Sequence, residues 1–311
     1  MWKVASGVFL GWSLGANDSA NIFGTGVATG TVKYRTAIML TAAFVLLGAI
    51  LEGPKCMATI KDISRLIPME AFCCTLATAI TMAVLTFMAI PSSSSQGIIG
   101  AVIGAGILSG TADFSKLYKI VICWAFTPVL GIVLGYFFYR FLKYLLNKTV
   151  NSLTLRNYIY FIGIIIAGSY GAYSLGANNV ANVTGIYVGA GILSTETAAI
   201  VGGVSIALGV LTYSKKVMMT VGKGIVPLDP FSAFTVVLAE AFTLHIFTQI
   251  GVPVSSSQAV VGAVTGIGLA GDLRTVNLKM LGKIAGGWLL TPVAAGILSY
   301  LLIILMASGI V

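Results

Sequence analysis

The stretch SLGANDSAN at 13–21 returns as SLGANNVAN at 174–182, and PSSSSQGIIGAVIGAG at 91–106 returns as PVSSSQAVVGAVTGIG at 253–268. The two echoes keep nearly the same offset, so the chain reads as two copies of one unit. Both are polar segments inside strongly apolar surroundings, where hydrocarbon penalises buried polar groups. Polarity kept twice in such a place points to a binding site.

Weaker matches extend the duplication outward. LGAILEGPKCMATI at 47–60 aligns loosely with LGVLTYSKKVMMTV at 208–221, pairing Lys55 with Lys216 and Thr59 with Thr220. Trp124, Thr127 and Pro128 reappear as Trp288, Thr291 and Pro292. The organisation expected is an N-terminal membrane repeat at 1–142, a short basic linker at 143–157 and a C-terminal membrane repeat at 158–311.

With 58% hydrophobic residues, 9% charged residues and a mean hydropathy of +1.00, a chain of 311 residues has too little polar surface for a soluble globule. It is an integral membrane protein. The net charge of +9 does not argue for nucleic acid, because the basic residues lie singly between apolar runs and form no stripe interleaved with aromatics. Cys56, Cys73, Cys74 and Cys123 sit in or beside apolar segments without CxxC spacing, which makes them packing residues. The first apolar run begins almost at once, lacks a clear cleavage site and carries the first motif, so it is expected to remain on the mature protein.

Apolar segments fall near 4–30, 36–51, 70–90, 97–110 and 117–142, and again near 158–193, 197–213, 231–251, 259–271 and 282–307. A spanning helix needs roughly 20 apolar residues, so the segments at 97 and 259 are too short and read as half-helices or re-entrant segments. Arg140, Lys143, Lys148 and Arg156 make the junction basic, and the positive-inside bias puts this linker in the cytoplasm with both termini outside. Lys55, Lys61 and Arg65 add positive charge elsewhere. That orientation needs an odd number of crossings per half, which inverts one repeat relative to the other, as in many secondary transporters.

Ser93 to Gln96 and Ser255 to Gln258 both read S-x-x-Q after a proline, the spacing of a capping box at a helix N-terminus. A helix that starts inside the membrane offers unpaired N–H groups and the positive end of its dipole, and serine hydroxyls add donors. Ser93, Ser94, Ser95, Gln96, Ser255, Ser256, Ser257 and Gln258 therefore form a candidate cradle for a tetrahedral anion. The plainer alternative is that these serines only cap buried helices. Asn17, Asp18 and Asn21, with Asn178, Asn179 and Asn182, supply hard oxygens where Gly15 and Gly176 would let a helix unwind and expose carbonyls, which suits a small cation. Interhelical hydrogen bonding is the competing role for the asparagines. Glu240 interrupts an apolar segment and is a further candidate cation ligand or gating group. Glu52 has Lys55 at i,i+3 spacing, the arrangement of a local ion pair. His245 is the lone histidine and reads as an ordinary packed or hydrogen-bonded side chain.

GANDSAN with GANNVAN, together with the paired PSSSSQ and PVSSSQ segments, resembles the inorganic phosphate transporter family, the ion-coupled symporters often called PiT. The resemblance covers both halves, with four motifs in order. It implies an all-α polytopic membrane protein with two inverted repeats, broken helices and re-entrant half-helices, and a central site between the repeats. The activity implied is uptake of inorganic phosphate coupled to sodium or protons by a homodimer; of the two, sodium is the coupling ion expected here, with protons as the rival and no organic cofactor. By motif position it assigns phosphate contacts to the eight serine-segment residues. Sodium or substrate contacts fall to Asn17, Asp18, Asn21, Asn178 and Asn182. Many relatives carry aspartate in both Asn-rich motifs, whereas Asn179 stands in the second motif here, which removes one carboxylate. The hydrophilic central domain of some relatives is also absent.

Three function classes compete. A phosphate symporter leads, with a sulfate permease of the same fold beside it, because helix N-termini bind both oxyanions; hydrogen phosphate can donate a proton to a carboxylate and sulfate cannot. A channel fits the duplicated closed-site chemistry less well. An intramembrane hydrolase lacks a Ser-His or metal constellation, and ATP driving lacks a Walker A motif.

Overall fold

The computed structural model describes residues 2–63, 66–88, 90, 92–110, 114–224, 228–271 and 278–308. Regular structure among these residues is helical throughout. The first half runs through α1 (Ala5–Ala28), α2 (Tyr34–Ile63), α3 (Pro68–Phe87), α4 (Ser94–Ser109) and α5 (Phe114–Thr149). The second begins with α6 (Leu153–Val180), which passes through a π-helical turn at Ala181–Gly185 into the short α7 (Ile186–Gly189). It continues with α8 (Thr195–Tyr213), α9 (Lys215–Gly224), α10 (Pro230–Ile250), α11 (Ser256–Gly271) and α12 (Leu278–Ala307).

Each apolar segment expected from the sequence is a helix, and the single helix α2 is matched in the second copy by α8 and α9, broken at Ser214. Most of the basic linker is helical too, because α5 runs to Thr149 and α6 starts at Leu153. Arg156 folds over this turn, donating from Nε to the Val150 carbonyl at 2.8 Å and from its terminal nitrogen to the Leu146 carbonyl at 3.3 Å. Arg156 thereby adds a second donor to the Leu146 carbonyl, which also accepts from the Val150 N–H at 2.9 Å, and ties the turn to the end of α5.

Seven helices among the described residues are long and apolar enough to cross a membrane, so the chain is a multi-pass membrane protein. Helices α4 and α11 are not among them. Each has 16 residues, or about 24 Å of rise against a hydrocarbon core of about 30 Å. Gly110, at φ 68°, ends α4, and Gly251, at φ 78°, ends α10; the left-handed conformation costs glycine nothing.

The halves exchange partners. Helix α1 packs on α8 while α6 packs on α2, and α4 packs on α12 while α11 packs on α5. Small residues permit this close approach, as between helices in lipid. A Cβ on Gly15 would overlap the Ile206 carbonyl, and one on Gly176 would overlap the Val45 carbonyl at the matching place in the other copy. Gly100 against Pro292 and Gly262 against Pro128 repeat the arrangement. The expectation that Gly15 and Gly176 unwind their helices is therefore corrected. Helix α1 continues unbroken through Gly15, α6 continues through Gly176, and both glycines serve helix contact.

Candidate functional site

Two helix N-termini define the site. Ser93 caps α4, its Oγ accepting from the Gln96 N–H at 3.3 Å, and the Ser255 Oγ accepts from the Gln258 N–H at 3.3 Å. Only the hydroxyl half of each expected capping box forms. Oε1 of both Gln96 and Gln258 is buried without a hydrogen-bond partner among the described residues. All the candidate residues are buried, from Asn17 at 0% exposure to Gln96 at 8%.

Hydrogen bonds cross between the halves at these N-termini. Asn21 Nδ2, on α1, donates to Ser256 Oγ at 2.9 Å, and Asn182 Nδ2, in the π-helical turn, donates to Ser94 Oγ at 3.4 Å and to Ser95 Oγ at 2.9 Å. Ser94 Oγ in turn donates to Asp18 Oδ2 at 3.2 Å, and Ser256 of the other serine segment lies beside the same carboxylate. Both serine segments thus converge on Asp18. Asn179, at the position equivalent to Asp18, accepts from Ser95 Oγ at 3.3 Å and from Asn182 Nδ2 at 2.9 Å. The one Ser95 hydroxyl proton is shared between Asn179 and the nearer Val254 carbonyl, at 2.9 Å, while Ser257 lies 3.0 Å from Ser255 and accepts from Trp288 Nε1 at 2.9 Å.

Asn17 and Asn178 stand apart from this group. Asn17 donates to Thr86 Oγ1 at 2.9 Å and to the Ile90 carbonyl at 3.2 Å, and its Oδ1 accepts from the Ser92 N–H at 3.1 Å. Asn178 makes the same set, donating to Thr248 Oγ1 and the Val252 carbonyl, each at 3.1 Å, and accepting from the Val254 N–H at 2.8 Å. Each amide fastens the end of one helix to the segment that begins the next. Thr86 and Thr248 were not singled out in the sequence, although both sit at matching places before the two serine segments.

The unpaired groups are mostly oxygens, with Asn179 Nδ2 an unpaired amide donor among them. Asp18 Oδ1, Asn21 Oδ1, Asn182 Oδ1, Ser19 Oγ and Thr25 Oγ1 are buried without hydrogen-bond partners among the described residues, as are both carboxylate oxygens of Glu240. Glu240 is fully buried on α10 within electrostatic reach of Asp18. Among the described residues, no lysine or arginine takes part in the hydrogen bonds of the site. Two buried carboxyl groups without a cationic partner need a proton or a bound cation. Hard oxygens left without partners fit a small alkali cation, and the same acceptors fit a protonated oxyanion that brings its own O–H donor. Unpaired buried acceptors are costly unless something occupies them.

Glu52, Lys55 and His245 form a separate group. Lys55 Nζ is 3.3 Å from Glu52 Oε2, so the expected local ion pair is present, and His245 Nε2 lies 3.8 Å from the same oxygen.

The sequence matches the phosphate transporter family over residues 14–299. A sulfate permease of Bacillus subtilis, CysP, is 29% identical over 97% of this chain and 86% of its own length. A protein of Methanocaldococcus jannaschii named as a candidate phosphate permease is 28% identical over 94% of this chain and 93% of its own. Among solved structures, one described as the sodium-dependent phosphate transporter superposes with a TM-score of 0.86 at 23% identity, covering 98% of each chain, and shares the fold. The protein is a membrane transporter and not an enzyme: the chain belongs to the phosphate transporter family.

Proposed function

We propose that this protein is a secondary symporter that imports inorganic phosphate by alternating access and uses sodium as the coupling ion. The observation that carries the reading is the meeting of two serine-capped helix N-termini, one from each half, around Asp18. Backbone N–H groups and hydroxyls there supply donors for phosphate oxygens. Asp18 Oδ1 and the free glutamine carbonyls supply acceptors for its P–OH.

In this reading sodium takes oxygens from Asp18, Asn21, Asn179 and Asn182, with Glu240 as an outlying carboxylate. Asn17 and Asn178 act through position, holding the serine segments, instead of ligating the ion. Bound sodium offsets the charge of Asp18, so phosphate meets a neutralised carboxylate. Proton coupling is the rival. The two halves act as inverted repeats at 1–142 and 158–311, rocking about the shared site in a homodimer with the linker in the cytoplasm and the termini outside.

Sulfate is the second reading, favoured by the 29% identity to a sulfate permease over nearly the whole chain. Sulfate brings no donor at neutral pH, so it leaves the unpaired acceptors unanswered. Purified protein in proteoliposomes, supplied with labelled phosphate or labelled sulfate under a sodium gradient, separates the two. Uptake of phosphate that excess sulfate does not compete away supports the proposal; accumulation of sulfate alone contradicts it.

A further inference from the structure

The two copies hold their serine segments with unlike contacts. Ahead of Ser255, Gln249 at the end of α10 donates from Nε2 to Glu52 Oε2 on α2 at 2.7 Å, and its Oε1 accepts from Lys55 Nζ at 2.8 Å. His245 Nε2 lies 2.7 Å from Gln249 Nε2, and Tyr173 of α6 stacks on the histidine ring at 6.2 Å, beside Glu52. Thr59, farther along α2, donates to the Gly251 carbonyl. The duplication places Tyr213 where Glu52 stands, Phe87 where Gln249 stands, Trp12 where Tyr173 stands and Lys216 where Lys55 stands. There the contact is aromatic. Tyr213 meets Phe87 edge to face at 5.2 Å and Trp12 at 6.0 Å, while Lys216 Nζ reaches the Phe87 carbonyl at 2.7 Å.

These contacts respond differently to being opened. Glu52, Lys55 and His245 keep 20%, 44% and 25% of their side chains exposed, so water replaces their mutual bonds at small net cost. Phe87 is 51% exposed, so the aromatic contact covers only part of its ring, but the edge-to-face attraction lost on separating the rings has no substitute in a bond to water. We propose that Glu52 and Gln249 form a releasable latch on the segment bearing Ser255–Gln258, and that the Tyr213–Phe87 contact is its fixed counterpart on Ser93–Gln96. The closure on the Glu52 side then opens more readily than the closure on the Tyr213 side. The inference rests on the transport reading, within which Glu52 and Gln249 are positioning residues that touch neither substrate nor ion.

Amide hydrogen exchange on the full-length protein in detergent, without substrate, tests the latch independently of what is carried. Residues 254–258 are expected to exchange about tenfold faster than residues 92–96, local openings of unequal cost being read directly as unequal exchange. The double variant Glu52→Tyr/Gln249→Phe, which writes the aromatic pair into the second copy, is expected to bring the two segments to within about threefold of each other. Gln249→Leu serves as the variant of similar size, and should quicken exchange at 254–258 while leaving 92–96 unchanged. In proteoliposomes the double variant should lower the phosphate uptake rate several-fold with the half-saturating phosphate concentration unchanged. Equal exchange of the two segments in the unaltered protein, or a double variant with unaltered exchange, overturns the latch. Absence of phosphate uptake by the unaltered protein overturns the transport reading and leaves the exchange result to decide the latch.

Discussion

Asn21 Nδ2 and Ser256 Oγ are 2.9 Å apart although one belongs to the first helix of the chain and the other to the start of α11. The equivalent pair, Asn182 and Ser94, closes at 3.4 Å. A site assembled from such crossed pairs is complete only when both halves are docked, which lets movement of the halves make and break it.

The serines should matter together more than singly. Ser94→Ala with Ser256→Ala removes the two serine hydroxyls beside Asp18 and leaves the backbone donors of the two helix ends. At about 1 kcal/mol for each lost bond, phosphate affinity should fall by about ten- to thirtyfold in the double variant and only a few-fold in either single one. Isothermal titration in detergent measures this. Unchanged affinity in a well-folded double variant removes the serines from the phosphate site.

Asn17→Ala and Asn178→Ala should act through structure. Each strands a buried backbone N–H and neighbouring acceptors, at a cost of about 1–3 kcal/mol, so thermal melting should fall for both and phosphate binding should weaken as the serine segment loosens. The apparent affinity for sodium, measured at saturating phosphate, should stay close to that of the unaltered protein. A selective loss of sodium affinity contradicts the anchoring role.

Gly15→Ala and Gly176→Ala should both damage the fold, because the added methyl meets a carbonyl of the facing helix. Overpacking of this kind costs about 1–3 kcal/mol and more where backbone must move. Gly30→Ala is no neutral control, since its φ is 72°; Gly282→Ala, with open space around the new methyl, is the suitable one. Equal melting of Gly15→Ala and Gly282→Ala contradicts the close packing of α1 on α8.

Much of this arrangement was legible in the sequence because duplication marks it. The repeated Asn-rich and serine-rich stretches identified the helices that meet, and the short apolar runs after the serines gave helices too short to span. Two things were hidden. The pairing of Asn21 with Ser256 depends on how the copies interleave, which periodicity within one copy does not encode. Asn17 and Asn178 read as ligands because an amide is equally suited to a cation and to a backbone; the positions of Thr86, Ser92, Thr248 and Val254, hidden in the sequence, are what favour the proposed anchoring use. Gly15 and Gly176 were misread for a similar reason, since glycine permits both unwinding and close approach.

Asp18 is the carboxylate on which both halves converge, and Asn179 is its uncharged equivalent. Asp18→Asn should reduce sodium-driven accumulation of phosphate by about tenfold or more, because a cation loses its charged ligand while the shape is kept. Asn179→Asp should raise apparent sodium affinity at the equivalent position. A sodium response in Asp18→Asn equal to that of the unaltered protein excludes Asp18 as the principal ligand.

The central claim, sodium-coupled phosphate import, is tested most directly by uptake of labelled phosphate into proteoliposomes with the pH equal on both sides and sodium imposed on the outside alone. The account predicts phosphate accumulating above its external concentration and collapsing when sodium is equalised. Accumulation that follows an imposed pH gradient and ignores sodium would contradict it.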